Sequence, residues 1–202
     1  MNALYLNAHL QAYTEADVEW LIERLPAWRR EQACRFRHLE GRRQSALAYE
    51  ELCRGLREEY GIEEPPAFEY NEHGKPRLQG RPDIHFSLSH CRAAVGCLLS
   101  DAPCGLDIEI IRPLRPALAE HTMNAVEQAL IQHSPTPDIT FIRLWTQKEA
   151  VLKLRGTGIS EGLRDTLSPE SLYGICLTTE EHLAEGFILS TATDTLHRFE
   201  KI

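Results

Sequence analysis

Near the middle of the 202-residue chain stands the stretch Gly105-Leu106-Asp107-Ile108-Glu109-Ile110-Ile111. Alternate side chains of a β-strand share one face, so Asp107 and Glu109 project together while the apolar residues face a core. Two carboxylates this close repel each other unless a cation lies between them. Such oxygens, with water and substrate phosphates, form the octahedron that Mg²⁺ prefers. The stretch predicts either a magnesium site or, because Asp-x-Glu is a common pattern, an ordinary strand with a polar solvent face.

The elements around this stretch indicate the fold class. A strand candidate at 93–99 precedes it, and the loop 100–103 separates the two. Helical periodicity followed by strand signals occurs once before this point and once after it. That order predicts an α+β protein of two similar halves, which we place at 1–103 and 104–202. The predicted helices cover about 15–25, 27–37, 42–60, 117–132 and 139–154, and the other predicted strands cover 68–70, 84–89, 173–178, 187–191 and 196–199.

A second charged motif lies in the predicted helix 139–154. It reads Trp145-Thr146-Gln147-Lys148-Glu149-Ala150-Val151-Leu152-Lys153, and the i, i+4, i+8 spacing puts Trp145, Glu149 and Lys153 on one stripe. A carboxylate beside an ammonium could place a base or metal ligand next to a phosphate-binding cation. The alternative is an exposed Glu149–Lys153 pair worth only ~0.3–0.5 kcal/mol. The chain has 18 arginines but only four lysines, and two of the four fall in this motif.

A strand that ends in Ser-His is the third candidate, Phe86-Ser87-Leu88-Ser89-His90. Neighbouring strand residues point to opposite faces, so Ser89 and His90 make a poor nucleophile–base pair. His90 is better explained as a phosphate donor or as a plain histidine at a strand end.

Composition and charge exclude several classes of protein. Hydrophobic residues make up 43% and charged residues 26%, which is typical of globular chains and not of disordered or fibrous ones. The sequence has no apolar stretch near the ~20 residues of a membrane span, so we expect a cytoplasmic protein without membrane contact. None of the six cysteines forms a C-x-x-C pair, and we expect free thiols.

A basic segment at 24–57 contrasts with the acidic chain as a whole. It holds nine arginines and four acidic residues, while the whole chain has a net charge of −8. Such a segment attracts phosphates, acidic proteins or nucleic acid, unless it is merely a solvated helix face. A nucleic-acid binder is usually basic overall, so we expect a phosphorylated metabolite or an acidic protein partner and no nucleic acid.

Four motifs in one order resemble the Sfp-type 4'-phosphopantetheinyl transferase superfamily. They are Gly74-Lys75-Pro76, Phe86-Ser87-Leu88-Ser89-His90, Gly105-Leu106-Asp107-Ile108-Glu109 and Trp145-x-x-Lys148-Glu149-Ala150-x-x-x-Lys153. With the Arg-rich segment Arg35-Phe36-Arg37…Arg43-Gln44-Ser45, the resemblance covers roughly residues 25–160. It implies two α+β halves related by pseudo-twofold symmetry, an active site between them, and a pseudo-dimeric monomer.

The resemblance also implies a reaction. The 4'-phosphopantetheine group of coenzyme A would pass to a serine of an apo acyl or peptidyl carrier protein, with release of 3',5'-adenosine bisphosphate. Asp107, Glu109 and Glu149 would hold Mg²⁺, with Glu149 acting as ligand, general base or both. Lys153 would act in catalysis by binding a phosphate. Whether the cell uses Mg²⁺ or Mn²⁺, and whether the carrier serves fatty acid, polyketide or nonribosomal peptide synthesis, is left open.

Further positions match residues of the family that hold the nucleotide. Glu127 lies near the position of an acidic residue that members of the family carry, and the role of Glu127 is left open. Gln32 and Gly41 stand where relatives often have a cation and an acid, which leaves the contacts to the 3'-phosphate open. The residues that the resemblance assigns to coenzyme A are Arg29, Ser45, Lys75, Ser89, His90 and Lys153.

Two alternative functions belong to other classes of protein. A catalytically inactive member of the fold could serve as an adaptor that binds an acidic carrier through the Arg-rich segment, although the three intact acids count against it. Another Mg²⁺-dependent enzyme acting on a nucleotide pyrophosphate is the second. The sequence has neither a Walker loop nor a G-x-G-x-x-G stretch, which argues against an ordinary kinase or dehydrogenase.

Overall fold

The computed structural model describes residues 1–158 and 162–197, and its helices and antiparallel strands confirm the predicted α+β class. No helix in these two ranges is long and apolar enough to cross a membrane. The strands are β1 (Asn2–Asn7), β2 (Phe68–Tyr70), β3 (Pro76–Leu78), β4 (His85–His90), β5 (Val95–Ser100), β6 (Cys104–Ile110), β7 (Ile175–His182) and β8 (Phe187–Asp194). The helices are α1 (Glu15–Arg24), α2 (Ala27–Cys34), α3 (Leu39–Tyr60), α4 (Pro116–Thr122), α5 (Ala125–Gln132) and α6 (Pro137–Arg155), with 3-10 turns at Leu10–Ala12 and Leu163–Asp165.

Two three-stranded antiparallel sheets have matching strand orders. The first is β1-β5-β4 and the second is β6-β8-β7. In each sheet, the strand that comes first in sequence pairs with the strand that comes last, and three α-helices follow the first strand. The first half differs in carrying the small β2-β3 hairpin before β4. The division at 103/104 and the twofold relation between the halves stay predictions.

The two sheets meet where β4 runs beside β6. The backbone amide of Leu106 donates to the Ser87 hydroxyl at 2.9 Å, and that of Ile108 donates to the Ser89 hydroxyl at 3.0 Å. All four of these residues are buried. Serine hydroxyls therefore satisfy β6 amides that would otherwise be buried without a partner, and they fix the end of β4 next to Asp107.

Gly105 lets helix α6 pack directly on the backbone of β6. A Cβ atom at this position would overlap the carbonyl oxygen of Ala150 and lie 2.5 Å from the Leu154 nitrogen. A glycine in a strand often marks such a close approach of another backbone. The contact brings the Glu149 and Lys153 side of α6 over the strand that carries Asp107.

Several predicted elements differ from the structure. The predicted helix 117–132 is split, because Asn124 starts a new helix through a capping box with Glu127. Strands β1 and β3 were not predicted; β1 is a short apolar run whose strand form depends on pairing with β5. The predicted strand 196–199 is wrong for Leu196 and His197, which lie in a bend and a 3-10 turn, and 198–199 lie outside the described residues.

Candidate active site

A cleft of about 260 Å³ lies between the two halves. The first half contributes Lys75 and Phe86 to its walls, and α6 contributes Glu149 and Lys153. Residues that were predicted from the sequence to share one site therefore line the same cleft. A larger cavity of about 570 Å³ lies beside α1, where the buried carboxylate Glu51 is already ion-paired with Arg54 at 2.6 Å.

Lys153, which lines this cleft, forms a connected polar cluster with Asp107 and Ser89. The Lys153 ammonium donates to Asp107 Oδ1 at 2.7 Å and to the Ser89 hydroxyl at 3.0 Å. The Ser89 hydroxyl in turn lies 3.2 Å from Asp107 Oδ1, to which it donates. Lys153 thus contacts the strand carboxylate, so the alternative of an isolated Glu149–Lys153 surface pair is wrong.

The other two carboxylates are partly buried near Asp107. Burial first and then the charge of Asp107 raise the pKa of Glu149 to about 6, against the opposing effect of Lys153. Burial and Asp107 also raise the pKa of Glu109. Glu109 accepts a hydrogen bond from Trp145 Nε1 at 3.2 Å and lies 3.4 Å from Arg112. Mutual repulsion of this kind is what a bound cation would relieve.

The donor set fits a hard divalent cation. Asp107 Oδ2 and Glu149 Oε1 are both buried without a hydrogen-bond partner. Buried carboxylate oxygens are seldom left unpaired, and oxygen ligands of this type are those that Mg²⁺ prefers. Across 1–158 and 162–197, however, no three His, Cys, Asp or Glu side chains converge as a preformed metal cage, since Glu109 is turned toward Trp145 and Arg112.

Arg29, Ser45 and His90 belong to the first half and lie outside the lining of the cleft. Arg29 is buried and donates to the Ser45 carbonyl at 2.6 Å and to its hydroxyl at 3.1 Å. Gln32, which departs from the family pattern, accepts a hydrogen bond from the same guanidinium. The His90 side chain is exposed, but desolvation by neighbouring atoms, and then the Lys153 ammonium, lower its pKa. Their assignment to the nucleotide stays a prediction.

Comparison with known proteins decides the family. The sequence profile described as the 4'-phosphopantetheinyl transferase superfamily matches residues 103–191, which include Asp107, Glu109 and Glu149. The 4'-phosphopantetheinyl transferase psf-1 of Bacillus pumilus is 36% identical over 161 residues, or 76% of this chain and 69% of that protein. The chain belongs to the 4'-phosphopantetheinyl transferase superfamily.

Other members of the family give the same result. A 4'-phosphopantetheinyl transferase of Bacillus subtilis is 28% identical over 162 residues, covering 78% of this chain and 70% of its own length. The 4'-phosphopantetheinyl transferase AcpT of Escherichia coli (strain K12) is 33% identical over 141 residues, covering 64% of this chain and 67% of its own length. The chain is therefore an enzyme of the transferase class.

In this 4'-phosphopantetheinyl transferase, Lys75 joins the two halves. Its ammonium donates to the carbonyl oxygens of Cys104 at 3.1 Å and of Leu154 at 2.9 Å, and burial lowers its pKa. An ammonium has three donors, so one remains for a ligand. Lys75 thus lies in the cleft as expected, and its proposed contact with coenzyme A would share the ammonium with these two carbonyls.

Lys148 has a role in the transferase that the sequence did not reveal. It is fully buried, and its ammonium contacts Glu127 at 2.9 Å and donates to the carbonyls of Leu163 and Arg164 at 2.9 and 2.8 Å. Glu127 therefore pairs with Lys148 and is not part of the carboxylate cluster. The scarcity of lysine in the sequence drew attention to Lys148. It could not show that the Lys148 side chain points away from the cleft.

Replacing Lys148 with Met should destabilise the transferase by about 3–5 kcal/mol, because Glu127 would be left buried without its cation. Urea unfolding followed by circular dichroism measures this loss. The double variant Lys148→Met with Glu127→Gln should recover part of it. A loss below ~1 kcal/mol for the single variant would show that the pair is energetically unimportant.

Most arginines of the basic segment 24–57 take part in contacts within the first half. Arg30 and Arg35 nevertheless stay exposed, so these contacts leave cationic surface on the segment. The contacts are Arg24 with the Trp20 ring, Arg29 with Ser45, Arg30 with the Glu23 carbonyl, Arg35 with Glu31, Arg42 with the Phe36 carbonyl, and Arg54 with Glu51.

Proposed function

We propose that the chain transfers the 4'-phosphopantetheine group of coenzyme A to a serine of an apo acyl or peptidyl carrier protein and releases 3',5'-adenosine bisphosphate. The observation that carries this proposal is that Glu149 and Lys153 line the interhalf cleft of a member of this family while Lys153 pairs with the buried carboxylate of Asp107. The proposal includes two halves, 1–103 and 104–202, that form the site within one chain.

The proposed roles follow from charge and position. A divalent cation held by Asp107, Glu109 and Glu149 would neutralise negative charge on the pyrophosphate of coenzyme A. Lys153 offers a second positive charge, as a point contact to a phosphate oxygen. Arg29, Ser45, Ser89, His90 and Lys75 are proposed to hold the remainder of the nucleotide.

Glu149 is the proposed base for the serine proton. At pH 7, the ionised form of a carboxyl group whose pKa is about 6 outnumbers the neutral form roughly ten to one, and this carboxylate is more basic than that of an ordinary glutamate. In the metal-free protein, burial and the charge of Asp107 thus make Glu149 more basic than an ordinary glutamate. Loss of the serine proton to Glu149 would leave the serine oxygen free to attack the β-phosphate.

Neutralising Asp107 should remove the metal dependence of coenzyme A binding. Calorimetric titration of the wild type should give tighter binding of coenzyme A with Mg²⁺ than without it, whereas Asp107→Asn should give weak binding in both conditions. Glu63→Gln, an exposed position in the loop after α3, is the control and should behave as the wild type. Equal enhancement by Mg²⁺ in the wild type and Asp107→Asn would contradict the proposed metal site.

The reaction itself is tested by its small product. Chromatography should detect 3',5'-adenosine bisphosphate only when the enzyme, coenzyme A, Mg²⁺ and an apo carrier protein are all present. An adaptor without activity would bind the carrier and release no nucleotide. That outcome would replace the proposed function with the adaptor function.

A further inference from the structure

The contact between Lys153 and Asp107 uses the carboxylate that the metal would need. Lys153 Nζ lies 2.7 Å from Asp107 Oδ1, a distance typical of a strong charge-assisted hydrogen bond. The Asp107 side chain is 7% exposed, which makes an unpaired charge there costly. Without a metal, the ammonium of Lys153 therefore takes the place of a counter-ion for Asp107.

The two partners differ in their freedom to move. Asp107 lies within β6, and its oxygen is held by the Ser89 hydroxyl, which is itself fixed by the Ile108 amide. Lys153 lies near the C-terminus of α6 with a side chain that is 32% exposed and four flexible methylene groups long. The ammonium can leave Asp107 toward an anion in the cleft, whereas the carboxylate cannot follow it.

We infer that Lys153 is a built-in competitor of the divalent cation for Asp107, and that an anionic ligand in the cleft relieves this competition by drawing the ammonium away. This inference rests on the proposed metal site. It adds that metal and coenzyme A bind with positive coupling, because the phosphates of coenzyme A engage Lys153 and leave Asp107 to the metal.

The charges that surround the pair support this exchange. Asp107, Glu109 and Glu149 influence one another electrostatically, and the positive charges near them are Lys153 and Arg112. With both Lys153 and a divalent cation on Asp107, two positive centres would share one carboxylate. Moving Lys153 onto a phosphate separates the two cations and pairs each with its own anion.

Coupling of this kind is reciprocal. If coenzyme A tightens metal binding by some factor, the metal must tighten coenzyme A binding by the same factor, and couplings of roughly 5- to 150-fold are typical. Removing the competing ammonium should therefore give the coenzyme-free protein part of the metal affinity that the wild type gains only with coenzyme A.

The test is calorimetric titration of Mn²⁺ into the 202-residue protein, first without and then with saturating coenzyme A. Lys153→Met removes the charge and keeps the length of the side chain. Arg155→Met is the matched control, since it removes a cation two residues along α6 that donates to the Ser171 carbonyl and not to Asp107. Thermal unfolding of each variant checks that the fold is retained.

We expect Lys153→Met to bind Mn²⁺ about tenfold more tightly than the wild type in the absence of coenzyme A, a factor within the range typical of coupled sites. Arg155→Met should stay close to the wild type, and adding Asp107→Asn to Lys153→Met should abolish the gain. Unchanged or weaker Mn²⁺ binding by Lys153→Met, or an equal gain in Arg155→Met, would overturn the competition. If Mn²⁺ binds neither the wild type nor Lys153→Met even with coenzyme A, the proposed metal site itself fails.

Discussion

Glu149→Gln should lower kcat by ~10²–10⁴, the range expected for the loss of a general base. The substitution keeps the size of the side chain and removes its charge and basicity. If Glu149 acts chiefly as the base, coenzyme A binding measured by titration should persist. If it acts chiefly as a metal ligand, metal affinity should fall as well and added Mg²⁺ should restore part of the rate.

A control for this variant lies on the same helix. Gln147 is two residues away and donates a hydrogen bond to Thr179 in the second sheet, outside the carboxylate cluster. Gln147→Glu adds a negative charge to the helix and should leave transfer largely intact. Transfer by Glu149→Gln at the wild-type rate would remove Glu149 from the proposed mechanism.

Gly105→Ala should nearly abolish transfer, since the new Cβ would overlap the carbonyl oxygen of Ala150. Backbone atoms cannot rotate away, so α6 must move off β6, at a cost of about 1–3 kcal/mol or more. That movement separates Glu149 and Lys153 from Asp107. A misplacement of about 1 Å can cost 10²-fold in rate, and we expect at least that loss from steady-state kinetics.

A tightly packed glycine of the first half separates an effect on the site from an effect on stability. Gly55 lies on α3, and a Cβ there would meet the side chains of Leu99 and Tyr5. Gly55→Ala should therefore lower the unfolding midpoint while the remaining folded enzyme keeps its activity per molecule. If Gly105→Ala retains full activity, the close packing of β6 and α6 is not what positions the site.

The parts of the site that could be predicted are those that depend on local periodicity. The period of two in β6 puts Asp107 and Glu109 on one side, and the period of 3.6 in α6 puts Glu149 and Lys153 on one stripe. Both elements were predicted to within a few residues. The meeting of strand and helix was implied only by the resemblance to the family.

The parts that could not be predicted depend on contacts between distant residues. Lys148 and Glu149 are neighbours in sequence, yet Lys148 turns to Glu127 and to the 3-10 turn Leu163–Asp165, while Glu149 faces the cleft. The pairing of Lys153 with Asp107 spans 46 residues, and the pairing of β1 with β5 spans even more. Periodicity within one element does not determine which distant element supplies the partner.

The most direct test of the central claim is the intact mass of a panel of apo carrier proteins after incubation with this enzyme, coenzyme A and Mg²⁺. We predict that at least one acyl or peptidyl carrier gains the mass of a single phosphopantetheinyl group. The gain should vanish when the acceptor serine of that carrier is replaced by alanine, or when the enzyme carries Glu149→Gln. Unchanged masses across carriers of fatty acid, polyketide and nonribosomal peptide synthesis, each shown to be modified by another transferase, would contradict the account.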